Sequence, residues 1–149
     1  MIERIAFEGT EFAIILRSGM PEPGIQFFTP PHFSQQLGCM RHPAGHLIEP
    51  HVHNPVSRAV HFTQEALFLR RGRLRVDFYS DAGAYLESRE LGPGDVILLI
   101  RGGHGFEVLE EIEMVEVKQG PYVGDADKTR IKGIAASEVW LAPGPRSSS

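Results

Sequence analysis

His51 and His53, separated by a single residue, are the two side chains of this sequence best placed to act together. On a β-strand the side chains at i and i+2 leave the same face, so both imidazoles can address one ion. Downstream, Glu65 heads the apolar segment Ala66-Leu67-Phe68-Leu69, and His104 stands in the glycine cluster Arg101-Gly102-Gly103-His104-Gly105. Three imidazoles and one carboxylate make a mixed nitrogen and oxygen donor set, the type that suits a divalent iron, manganese, nickel or zinc ion. Such a set leaves coordination positions for water, substrate or dioxygen, and an open ion acts as a Lewis acid or activates oxygen.

Ligands of this kind need strands to hold them. Residues 2 to 16 read as two short strands joined by the turn Glu8-Gly9-Thr10-Glu11. The stretch SGMPEPG, residues 18 to 24, reads as a loop, and Gly24 to Thr29 as a strand that Pro30-Pro31 stops. The approach to Gly45 predicts a further strand ending at His53, with Pro50 marking an edge or bulge. His32, His42 and His46 read as surface or hydrogen-bonded histidines, and the lone Cys39 as a buried small side chain.

Eleven residues, Asn54 to Gln64, separate the histidine pair from Glu65, and they serve as a lid or an ordinary surface loop. Arg58 and His61 lie on this insertion, and His61 is a candidate catalytic residue. Glu65 to Arg70 and Leu74 to Tyr79 predict a hairpin turning at Arg71-Gly72-Arg73, with Leu67 and Leu69 on the side of Glu65. Tyr85 to Leu91 and Val96 to Ile100 read as strands. Phe106 to Leu109 and Ile112 to Gln119 predict a last hairpin around Glu110-Glu111, and it carries the second catalytic candidate, Glu116. Ile134 to Leu141 reads as a short helix or a closing strand. Lys118, Tyr122, Lys128 and Arg130 read as a solvated charged segment, with binding of an anionic substrate group as the alternative.

Two patterns resemble the paired motifs of the cupin superfamily. Gly45 precedes His51 by five intervening residues, the His-x-His pair follows, and six residues separate Glu65 from Gly72. The second pattern is Pro93-Gly94-Asp95, the five residues Val96 to Ile100, then Gly102 and His104. The resemblance covers residues 40 to 118 and implies an all-β, cupin-type double-stranded β-helix, a jelly-roll barrel, with a short C-terminal extension. It implies a small metal-binding cupin whose ligands are His51, His53, Glu65 and His104, and a homodimer formed through N-terminal strands.

At 149 residues the chain fits a single domain, residues 1 to 142, with PGPRSSS at 143 to 149 as a disordered tail. A net charge of -4 and the absence of a Lys/Arg run argue against nucleic acid as a partner. No apolar run is longer than Val96 to Ile100, which is too short for a membrane span, and the acidic start MIERIAFEGTE is unlike a signal peptide. With one cysteine and no internal disulfide, the reading is a cytoplasmic protein with a small-molecule partner.

Three functions stay open on this reading. One is a metal-dependent enzyme, of oxygenase, isomerase or hydrolase type, acting on a small polar or sugar-like metabolite. The second is a non-catalytic cupin that binds metal or carbohydrate. The third is a metal-free barrel resembling the sugar-nucleotide isomerases.

Overall fold

β-branched and aromatic residues alternating with polar ones suit a pleated surface buried on one side, and most of this chain follows that rule. The computed structural model describes residues 2–144. Its strands are β1 (Ile2–Phe7), β2 (Thr10–Leu16), β3 (Gly24–Phe27), β4 (Gly38–Arg41), β5 (Glu65–Tyr79), β6 (Tyr85–Leu91), β7 (Val96–Leu99) and β8 (Gly103–Lys118). Two short 3-10 helices, Gly124–Asp127 and Ala136–Glu138, follow. The chain forms two compact units, one of Met1–Ser18 with Phe62–Ser149, the other of Gly19–His61.

The first unit is a curled antiparallel sheet, a half-barrel, with strand order β1-β2-β7-β5-β6 and β8 paired to β5. Its two longest strands, β5 and β8, pair from Glu65↔Lys118 at one end to Tyr79↔Gly103 at the other. The first part of β5, Glu65 to Phe68, also pairs with β7, and the later part, Leu74 to Tyr79, pairs with β6. Between those parts the register with β8 shifts repeatedly from Leu69 to Leu74. Gly72 sits there at φ +82, and a Cβ on it would lie 2.1 Å from the carbonyl oxygen of Glu111. Only a glycine gives both the left-handed turn and that close approach of the two backbones. The bulged ribbon folds over itself there. Leu67, Leu69, Leu74, Val76 and Phe78 all pack into one core with Ile15 and Ile97.

Two hairpins expected from the sequence are therefore a single ribbon. Gly72 is a bulge rather than a turn, and Glu110-Glu111 lies within β8 rather than at a hairpin tip. Charge explains the choice. Two separate hairpins would crowd Arg70, Arg71 and Arg73 at one tip and Glu110, Glu111 and Glu113 at the other. The ribbon instead pairs Arg70 with Glu113 at 3.0 Å, Arg71 with Glu111 at 3.2 Å and Arg73 with Glu110 at 3.3 Å, and it brings Arg75 against Glu107. Exposed pairs add little stability, but like charges set opposite each other on a sheet are unfavourable, so the pattern selects the partner.

Beside this bend, where the Asp95 carbonyl oxygen accepts the Leu69 N–H, the sheet is locked by ions. Arg17 reaches Glu3 at 2.6 Å, Asp95 at 2.7 Å and the carbonyl oxygen of Glu90 at 2.6 Å, and both carboxylates are buried. Asp95 also accepts the backbone N–H groups of Ser18 and Gly92. The Pro93-Gly94-Asp95 pattern thus has a structural use here, fastening the turn before β7. Elsewhere, Leu141 makes an isolated parallel bridge to Ser88, so residues 140–142 dock on β6. The disordered tail expected from 143 lies, from residue 145 onward, outside the described residues.

In the second unit β3 pairs with β4, and Thr29 ties their connection by accepting the Leu37 N–H and donating to Gln36. Cys39, expected to be buried, is half-buried on β4. The strand expected to run into His53 ends instead at Arg41. Pro43, Pro50 and Pro55 have no N–H to give a sheet ladder, and residues 42–61 carry neither helix nor strand.

Candidate functional site

The curl of the half-barrel sets up the site. Glu65 begins β5, on the side of the buried Leu67 and Leu69. His104 pairs with Phe78 in register, so it shares that residue's inward face. Thirteen residue steps separate Glu65 from Phe78, about 43 Å along a straight strand. Yet Glu65 Oε2 and His104 Nε2 are 3.2 Å apart. The ribbon ends therefore meet, and a second contact joins them, the Arg101 guanidinium lying 4.7 Å from the Phe62 ring centre.

Space for this meeting depends on glycine. A Cβ on Gly102, at φ +75, would stand 2.4 Å from the Phe12 ring and 2.6 Å from the Tyr79 carbonyl oxygen. No other residue fits between those groups without displacing the strand end that carries His104.

Glu65 has a second partner. Lys118, opposite it in the β5–β8 register, places its ammonium 3.2 Å from Oε1. The same ammonium lies 2.7 Å from Asp127 Oδ2, and the Thr63 hydroxyl donates to Asp127 Oδ1 at 3.0 Å. The result is a continuous polar chain from His104 through Glu65 and Lys118 to Asp127 and Thr63. The hydrogen bond from His104 holds the Glu65 carboxyl below its ordinary range against the opposing effect of burial, and Lys118 adds to the depression. Asp127 is lowered chiefly by Lys118, and Lys118 is raised chiefly by Asp127. All three are charged at neutral pH.

The histidine pair lies in the second unit. His51 and His53 are exposed on a segment without strand, their ring centres 5.2 Å apart and their planes at 76°. His51 Nδ1 donates to the carbonyl oxygen of Glu49 at 2.9 Å. Metal-ligating histidines are commonly held this way. The two candidates for proton transfer are also exposed. His61 closes the second unit, while Glu116 lies opposite Leu67 on β8, on the same face as Lys118. Within neither unit, among the described residues, do three or more His, Cys, Asp or Glu side chains converge.

Sequence reasoning grouped Glu65 and His104 with the histidine pair and named Lys118 apart from them, and the structure brings Glu65, His104 and Lys118 together. It gave no role to Thr63 or Asp127. Their sole signal was position, Thr63 two residues before Glu65 and Asp127 in the charged segment after Lys118. No protein-family model, no curated protein and no solved structure matches this chain.

Proposed function

We propose that the chain is a metal-dependent enzyme of the cupin type, acting on a small polar or sugar-like metabolite. Glu65 and His104 would supply two ligands to a divalent iron, manganese, nickel or zinc ion. The observation that carries this reading is the 3.2 Å approach of Glu65 Oε2 to His104 Nε2, two donors that meet because their ribbon curls back on itself. The donor chemistry fits such an ion, one carboxylate oxygen and one imidazole nitrogen on an inward face.

A bound ion there supplies Lewis acidity toward a substrate oxygen. The chain's own groups do the rest. Lys118 holds Glu65 Oε1 and so orients the carboxylate, while Glu116, on the same face of β8, is the candidate proton acceptor.

Metal content of the untagged protein by mass spectrometry is the test, beside a Glu65→Ala, His104→Ala double variant whose folding is checked by circular dichroism. About one ion per chain, lost in the variant, is the expected result. No ion in the parent protein after exposure to iron, manganese, nickel and zinc refutes metal binding. Oxygen uptake and turnover of sugar-like compounds by the loaded protein then separate an enzyme from a binding protein.

One observation favours a second reading. The Lys118 ammonium already neutralises Glu65 at 3.2 Å, as it would in a metal-free barrel where Glu65 orients His104 as a base. A metal-free protein with turnover that His104→Gln abolishes would establish it.

A further inference from the structure

The segment 119–134 leaves β8 beside Glu65 and travels to the other end of the ribbon. Asp127 is fastened to Lys118 and Thr63. Farther on, a Cβ on Gly103 would lie 2.8 Å from Ile131 Cδ1, and the Ile134 N–H donates to the Tyr79 hydroxyl at 2.9 Å. Gly103 is the neighbour of His104. The segment is thus a strap held at both of the strand ends that the Glu65–His104 contact brings together.

Its fastening at Asp127 has the form of a ligand site. One ammonium and one hydroxyl hold the two oxygens of a single carboxylate, at 2.7 and 3.0 Å. Receptor and occupant differ in their anchorage. Lys118 ends a strand and Thr63 lies two residues before one, whereas Asp127 ends a 3-10 helix with no buried residue and no side-chain cap. The exposed Lys128, next to Asp127, adds positive charge at the same place.

We infer that Lys118 and Thr63 form the receptor for the carboxylate of a small substrate, and that Asp127 occupies this receptor in the free protein. The substrate carboxylate displaces Asp127, which frees the strap and sets the rest of the substrate beside Glu65 and His104. The inference names the substrate class for the site proposed above and rests on that placement. A carboxylate suits the receptor better than a phosphate, since one cation and one hydroxyl match a single charge and two oxygens, and a phosphate dianion calls for more donors.

Three probes test it by amide-resolved NMR titration of the whole chain, namely propionate, its neutral isostere propionamide, and inorganic phosphate. Propionate is expected to bind the parent protein weakly, to shift the amides around Thr63 and Lys118, and to raise hydrogen exchange over residues 122–130. Propionamide is expected not to bind. Asp127→Asn removes the competing charge from an exposed turn, and propionate should then bind about tenfold more tightly, about 1.4 kcal/mol.

Lys118→Met should abolish binding, and Thr63→Val, which leaves the ion pairs in place, should weaken it. Equal binding to parent and Lys118→Met, an unchanged affinity in Asp127→Asn, equal affinity for phosphate, or no propionate binding to any form overturns the inference. Metal content measured on the same samples reports separately on Glu65 and His104. A chain without metal that binds propionate refutes the metal reading alone, and one with metal that ignores propionate refutes this inference alone.

Discussion

Replacing Gly72 with alanine isolates the bend on which the site depends. Gly72 and Gly83 share φ +82 within one unit, so alanine meets the same left-handed backbone cost at both, about 1–2 kcal/mol. Their surroundings differ. The nearest atom to a Cβ on Gly83 is the flexible Ile131 Cγ2 at 3.4 Å, whereas on Gly72 it is the Glu111 carbonyl oxygen at 2.1 Å, part of the β8 backbone. Relieving that overlap requires the two strands to separate, which adds about 1–3 kcal/mol on the scale of overpacked interiors. For a protein of this size each kcal/mol moves the melting temperature by about 2–4 °C. Gly83→Ala should therefore melt about 2–8 °C below the parent, and Gly72→Ala about 4–20 °C below and lower than Gly83→Ala. Differential scanning calorimetry measures both. Imidazole NMR of Gly72→Ala should also show His104 released from Glu65, since opening the bend parts the ribbon ends. Equal losses in the two variants, or a His104 signal unchanged in Gly72→Ala, would refute the bend as the origin of the site.

Acid should weaken the first unit in a defined direction. Glu65 is held below its ordinary value of 4.5, by the His104 hydrogen bond first and Lys118 as well, with burial opposing. For Asp77, burial raises the value, but the bonds from Arg75 and Ser88 prevail and hold it below 3.8. A carboxyl depressed in the folded state contributes stability that is fully present above its unfolded value and is lost as pH falls through the folded one. Urea midpoints should thus hold level down to a pH of about 4.5 and then decline, and Glu65→Gln should flatten the decline; an identical acid limb in that variant contradicts the assignment. Asp95→Ala should cost about 3 kcal/mol, near the lower end for breaking a buried pair because Arg17 keeps Glu3, and it also strips the Ser18 and Gly92 N–H groups of their acceptor. Denaturant unfolding checks this, and a loss below about 1 kcal/mol would mean that the cluster is solvated.

Local pattern made much of the fold legible. The turn at Glu8-Gly9, β6 and β7 stand where turn residues and apolar runs put them, because each depends on neighbours a few positions away. The all-β class follows from the same cues. Glu65 was placed on the side of Leu67 and Leu69 by parity alone, since period two fixes the face of every residue once one is assigned. The histidine pair was misjudged as part of a strand because i, i+2 spacing says which face two residues share only if a strand exists, and the prolines around it deny one.

What the sequence determined by itself is the inventory: charged partners in matching numbers on two long segments, glycines at the bends, and the residue types of a polar site. What tertiary structure decided is who meets whom. Gly72 reads equally as a hairpin turn or a bulge, and only the pairing of β5 with β8 along their whole length selects the bulge and returns His104 to Glu65. Asp127 carries no local mark of its place beside Lys118, because the contact depends on where a strap of irregular chain crosses a curved sheet. Short-range sterics and period set each element. Long-range packing and the balance of charge across the ribbon set the site.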